Sequence, residues 1–168
     1  LKEFMSTKDR VVVMGHKITD VDALGAAIGI FRAGKTLGKS VSIVVNDPTK
    51  SIRPLIAGYV NNPDYEPSMF VDSAQAKDLI DNNTVVVVVD TNRPSYTECE
   101  ELLYMTKTVV VLDHHRRGSE VIENAVLSYV EPYASSACEM VAEILQYFSD
   151  DLRIRNMEAD CLYAGIMI

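Results

Sequence analysis

Cysteine is scarce in this chain: Cys99, Cys138 and Cys161 are far apart and odd in number. They form no CxxC pair, which excludes a disulfide framework or a thiolate zinc site as the organising device and fits a reducing, cytoplasmic compartment. Basic charge is also in deficit, with 16 Lys+Arg against 24 Asp+Glu and a formal net charge of -8. A non-specific grip on a long nucleic acid needs a basic stripe, so that class of partner is excluded. A small phosphate substrate is compatible with the acidic balance if metal ions supply the positive charge. Long apolar runs are missing too. None approaches the roughly 18 residues of a membrane span, and no signal peptide is visible, so this chain reads as soluble. The first strand runs into "GHKITD" rather than a GxGxxG turn, which sets aside a dinucleotide-binding oxidoreductase.

What is present is enough for one domain with a proper core: 168 residues, 48% hydrophobic and 24% charged. Strands are expected at 10–14, 40–46, 68–71, 84–90, 108–113 and 125–131. Helices are expected at 22–36, 51–60, from a Ser73 cap to Ile80, around 95–105, at 135–148 and at 156–166. The runs "TVVVVVD" and "TVVVLD" show no polar alternation. Such strands are buried on both faces, which predicts an α/β fold of three layers, a mainly parallel sheet with helices on both sides. The chain opens on "LKEFMSTKDR" without an initiator methionine and closes on the apolar run "CLYAGIMI". Termini usually sit in solvent, so Ile168 is expected to mark a cut in a longer protein.

Sheets of this kind bind ligands at the carboxyl ends of their strands. The polar residues there are His16, Asp20, Asp22, Asp90, Asp113, His114 and His115, which include every histidine of the chain. Mixed carboxylate and imidazole donors suit Mn²⁺, Mg²⁺, Fe²⁺ or Co²⁺ better than a structural zinc. The set exceeds what one ion needs, so two are expected. Asp20 and Asp22, two apart in an extended loop, would point the same way and each reach one ion. Asp22 alone also reads as a helix cap. Asp90, ending the central valine strand, is placed to bridge. Three carboxylates against two divalent ions leave one negative charge wanting, and Asp160, inside the last helix pattern, is the only candidate downstream. Two ions about 3.5–4 Å apart clamp a phosphate for in-line displacement by a bridging hydroxide. His115, Arg116 and Arg117 follow directly and are candidates to orient that phosphate.

These residues resemble the DHH phosphoesterase family. Asp113-His114-His115 is the family triplet after a hydrophobic strand, "GHKITDVDALGAA" resembles its first motif, His-x-x-x-Asp-x-Asp-Ala, and "VVVVVDT" resembles its second. "LDHHRR" and "EPYASSACEMVAEILQYF" resemble the branch of the family that hydrolyses cyclic-di-AMP in Gram-positive bacteria. The resemblance implies two Mn²⁺ ions. His16, Asp20 and Asp90 would hold one, Asp22, Asp90 and His114 the other, with Asp90 bridging. Asp113 would orient a neighbour and His115 would lie near the phosphate, so Asp90, His115 and Asp113 would carry catalysis. The family's fourth motif is an Asp shortly after a helix resembling "LYAGIMI", which this chain does not reach, and its nucleotide-binding DHHA1 domain does not appear.

Residues 1–168 are thus expected to be the catalytic subdomain, weak or inactive alone, with metal at the His16 side first. The parent would be anchored to the cell membrane with this domain in the cytoplasm, and a homodimer is a further expectation. The expected reaction is hydrolysis of cyclic-di-AMP to linear pApA. Alternatives are an oligoribonuclease or 3′-phosphoadenosine phosphate phosphatase of the same family, or an inactive nucleotide-binding module.

Overall fold

A computed structural model describes residues 1–167, so the expected cut at Ile168 lies outside them. Six strands form one sheet: β1 (Arg10–Met14), β2 (Ser40–Val44), β3 (Phe70–Val71), β4 (Thr84–Val89), β5 (Thr108–Asp113) and β6 (Leu127–Val130). The helices are α1 (Lys2–Ser6), α2 (Val21–Thr36), α3 (Arg53–Val60), α4 (Ser73–Leu79), α5 (Ala137–Phe148) and α6 (Asn156–Met167). Every strand pairing is parallel, in the order β3-β2-β1-β4-β5-β6. The chain builds outward from β1 to β3, then returns to lay β4 against the other side of β1. The switch in strand order therefore falls between β1 and β4, the place where open α/β sheets form a crevice.

The two sheet faces separate by residue parity. Val11, Val13, Val85, Val87 and Leu112 pack with α2, α5 and α6, whereas Val12, Met14, Val86, Val88 and Val111 face α4 and the segment around Leu102. The three expected layers are present, but the second face is thinner than the sequence suggests. The helix expected around 95–105 is instead two 3-10 turns, Pro94–Tyr96 and Glu100–Tyr104. Between them the backbone is recruited by the end of β1, because the Glu98 N–H donates to the Gly15 carbonyl at 3.0 Å and Thr97 bridges His16. A continuous helix would need those groups for itself. The cap of α4 is Asp72 rather than Ser73: its carboxylate accepts from the Gln75 N–H at 2.8 Å, and the Gln75 side chain accepts from the Asp72 N–H at 3.0 Å. Helix α1 has no signature in the sequence pattern. Among the described residues no helix is long and apolar enough to cross a membrane.

Helix α2 sits at the centre of this packing. It is apolar almost all round, which marks a helix buried on most sides. A Cβ at Gly25 would come within 2.6 Å of the Cys161 carbonyl, so only glycine lets α6 approach this closely. Gly38, at φ +76, ends the helix, with the Lys39 N–H donating to the Gly34 carbonyl at 3.0 Å. A two-pronged ion pair crosses the α2–α6 interface. Arg32 Nε and Nη2 donate to Glu158 Oε1 and Oε2 at 2.8 and 2.7 Å, and the Tyr65 hydroxyl donates to Oε2 at 2.7 Å. Glu158 is fully buried. Burial pushes its carboxyl up, but the Arg32 and Tyr65 bonds outweigh it, so the group sits below the ordinary range.

A glutamate depressed in the folded state contributes stability above its unfolded value, about 4.3, and loses it as pH falls through the lower folded value. Glu158→Ala is expected to cost about 2–3 kcal/mol at neutral pH, because the partly buried Arg32 and the Tyr65 hydroxyl lose their shared partner. Urea denaturation checks this, and a loss under about 1 kcal/mol would mean the pair is not an anchor. Glu158→Gln should flatten the acid limb of the stability curve below about pH 4.3.

Candidate metal centre

The site lies where the strand order switches. β1 ends at Gly15-His16, β4 at Asp90 and β5 at Asp113-His114-His115. Asp90 is the described non-glycine residue at positive φ, +64. Aspartate tolerates the left-handed region better than most side chains, yet holding it there still costs about 1–3 kcal/mol. The Asp90 N–H still donates to the Leu112 carbonyl at 3.0 Å, so the ladder is kept while the chain turns. The outcome is a carboxylate 3% exposed at the crevice floor, its two oxygens divided between two imidazoles. Oδ2 lies 3.4 Å from His16 Nε2 and Oδ1 lies 3.1 Å from His114 Nε2.

Two groups of donors share this residue. His16, Asp20 and Asp90 bring one coordinating atom each within 4.8 Å of the others, and so do Asp90, Asp113, His114 and His115. Asp20 is also the N-cap of α2, accepting from the Ala23 N–H through Oδ1 at 2.9 Å, while its Oδ2 faces His16 Nε2 at 3.6 Å. Capping belongs to Asp20, not to Asp22 as the sequence suggested. Asp22 lies inside the first turn of α2, so loop alternation is not what separates the pair. Its Oδ2 lies 3.6 Å from His114 Nε2, but both of its oxygens accept from the start of α5, Ala137 N–H at 3.0 Å and Cys138 N–H at 2.9 Å. Asp22 thus stands beside the second group rather than within it. Asp160, the candidate fourth carboxylate, is on α6 and joins neither group.

The electrostatics suit a cation. Hydrogen bonding to Asp20, then to Asp90, pushes His16 up to about 10, so in the metal-free site it carries a positive charge between the two carboxylates. Burial raises Asp20, but the bonds from His16 and the Ala23 N–H more than offset it and hold the group low. Asp90 is raised, chiefly by burial, with the nearby charges of Asp22 and Asp20 adding to it and His16 opposing. Converging carboxylates and imidazoles, one carboxylate buried among like charges, fit a hard or borderline divalent ion.

Behind these ligands, Asp113 is fully buried. Its Oδ1 bonds His115 Nδ1 at 2.7 Å, and its Oδ2 accepts from Asn92 Nδ2 at 2.7 Å. The bond to Asp113 raises the His115 imidazole. Asp113 thus links the His115 ring to the Asn92 amide. A cavity of about 310 Å³ is lined by His16, Asp20, Asp90 and His115, and also by Arg93, Tyr96 and Arg116. Arg117 is not part of it, because its Nη2 donates to Ser128 Oγ on β6 at 3.1 Å. Asn92, Arg93 and Tyr96 were missed from sequence. The signal available was their position just past Asp90, at a strand end, which the expected helix over 95–105 obscured.

A model of the DHH family, N-terminal domain, matches residues 10–166, a span that contains every residue of this site. The chain belongs to the DHH family. The DHH chain is 40% identical over 171 aligned residues to the cyclic-di-AMP phosphodiesterase GdpP of Bacillus subtilis (strain 168). It is 42% identical over 171 residues to the GdpP of Geobacillus thermodenitrificans (strain NG80-2). Both alignments cover all of this chain and 26% of the relative, so the chain spans about a quarter of the length of these relatives. Among solved structures, an exopolyphosphatase-related protein from Bacteroides fragilis matches with a TM-score of 0.77 at 19% identity, over 98% of this chain and 47% of that one. That likeness concerns the fold, and it agrees with the parallel sheet described above.

Asp90→Asn keeps a side chain tolerated at positive φ and removes the shared charge. Mn²⁺ at about a hundred times its dissociation constant is expected to stabilise the unaltered DHH domain by about 2.7 kcal/mol and the Asp90→Asn variant by almost nothing. Without metal, the variant should be no less stable. Calorimetric melts with and without Mn²⁺ decide this, and equal metal-induced shifts would remove Asp90 from the ligand set.

Proposed function

We propose that this DHH domain is the metal-dependent catalytic subdomain of a longer phosphodiesterase that hydrolyses cyclic-di-AMP to linear pApA. The observation that carries the reading is the buried Asp90 carboxylate, divided between His16 and His114 at the sheet's switch point. The similarity to the two GdpP proteins supports the choice of substrate. In this reading His16, Asp20 and Asp90 hold one Mn²⁺, and Asp90 and His114, with Asp22 beside them, hold a second. Bound there, two divalent ions would clamp the phosphate oxygens and activate water for in-line displacement at phosphorus.

The remaining residues hold and orient the substrate. His115 Nδ1 is engaged by Asp113. Its Nε2 is then the nitrogen left for a phosphate oxygen, in a tautomer fixed by the buried carboxylate. Arg116 and Arg93, both lining the cavity, supply positive charge to an otherwise acidic crevice. Two protein ligands with Asp22 beside them, against three for the first ion, support a further aspartate from the longer protein, and relatives about four times as long leave room for a nucleotide-binding DHHA1 domain. The segment alone is then weakly active or inactive, and filled first on the His16 side. The parent is anchored at the membrane with this domain in the cytoplasm, and it acts as a homodimer.

In the full-length protein, Asp90→Ala should abolish Mn²⁺-stimulated hydrolysis of cyclic-di-AMP. Asp113→Asn, which disturbs the group orienting His115 together with its bond from Asn92, should lower it about 10–100-fold. Hydrolysis that survives Asp90→Ala would end this reading. The same assay run beside 3′-phosphoadenosine phosphate and short oligoribonucleotides tests the substrate, and faster turnover of either would replace cyclic-di-AMP.

A further inference from the structure

Arg93 and Tyr96 border the same cavity as His16, Asp20 and Asp90, yet the metal chemistry does not use Tyr96. Tyr96 is 52% exposed, an aromatic ring left open at the rim of a polar crevice. The Arg93 guanidinium lies over that ring, 5.0 Å from its centre, and its Nη1 donates to the Tyr96 hydroxyl at 3.3 Å. The pair is built into the site's own backbone. The Lys17 N–H donates to the Tyr96 carbonyl at 2.6 Å, and Thr97 bridges His16. Pro94 fixes the start of the turn, and the Ser95 N–H donates to Glu120 Oε1 at 2.8 Å. A flat ligand settling here would find the surface already ordered, which removes part of the usual cost of binding.

We infer that Arg93 and Tyr96 form a nucleobase subsite at the rim of the metal cavity, taking the base of a nucleotide whose phosphate sits by Asp90 and Arg116. The inference rests on the phosphodiesterase reading and adds how a base, as distinct from a phosphate, is recognised by this domain. An unpaired base is held by stacking on aromatic rings and on guanidinium planes, and this rim offers both.

The test compares AMP with ribose 5-phosphate, which carries the same phosphate and no base, by calorimetry in Mn²⁺ on the full-length protein. AMP is expected to bind about tenfold more tightly. Tyr96→Ala should lower that preference by about the same factor, and Tyr96→Phe, which keeps the ring, should retain it. Equal binding of the two ligands, or a preference that survives Tyr96→Ala, would overturn the base subsite while leaving the phosphate site standing. Failure of both ligands to bind in Mn²⁺ would remove the phosphate site, and the inference with it.

Discussion

The charge on Asp90 is the constraint that the rest of this molecule accommodates. A carboxylate almost sealed from water, with Asp20 and Asp22 nearby, is costly unless positive charge or hydrogen-bond donors come to it. The fold brings them from two sides. β1 delivers His16, β5 delivers His114, and the left-handed turn at Asp90 gives each its own oxygen. None of this works unless β1 and β4 are neighbours. That adjacency follows from a sheet built outward from its middle, with strands apolar enough to be buried on both faces. The valine runs and the acidic crevice are therefore one design, with the core fixing the register of the ligands.

Much of this could be read from the chain. Strands such as 84–90 and 108–113 announce themselves because burial on both faces leaves no polar alternation. The candidate ligand positions follow from a rule about strand ends, and their order matches a family's motifs. What stayed hidden was hidden for physical reasons. Helix α1 is five residues long, too short to show a period. The segment after Asp90 carries a helical pattern at 95–105, but its Glu98 N–H and its Tyr96 carbonyl are claimed by Gly15 and Lys17, which only the folded sheet brings near. Arg116 and Arg117 are chemically equivalent in sequence, and only the position of β6 decides that Ser128 takes Arg117.

The side chains of the crevice also carry structural duties that composition does not reveal. Asp20 is both a donor beside His16 and the cap of α2. Asp113 orients His115 and is itself held by Asn92. Such sharing explains how a small domain organises its carboxylates and imidazoles with few additional polar residues. Each contact that fixes a ligand also satisfies a backbone group or a neighbouring side chain.

Asp22 takes this sharing furthest. Its carboxylate receives the first amides of α5, a helix 115 residues further along the chain, while one of its oxygens faces His114. It works as a rivet between the acidic crevice and the helical layer. The seating of α5 and the geometry of the second group of donors therefore cannot be adjusted separately. A loss of function at position 22 would carry two lesions at once, one in the chemistry and one in the scaffold, and activity alone would not tell them apart.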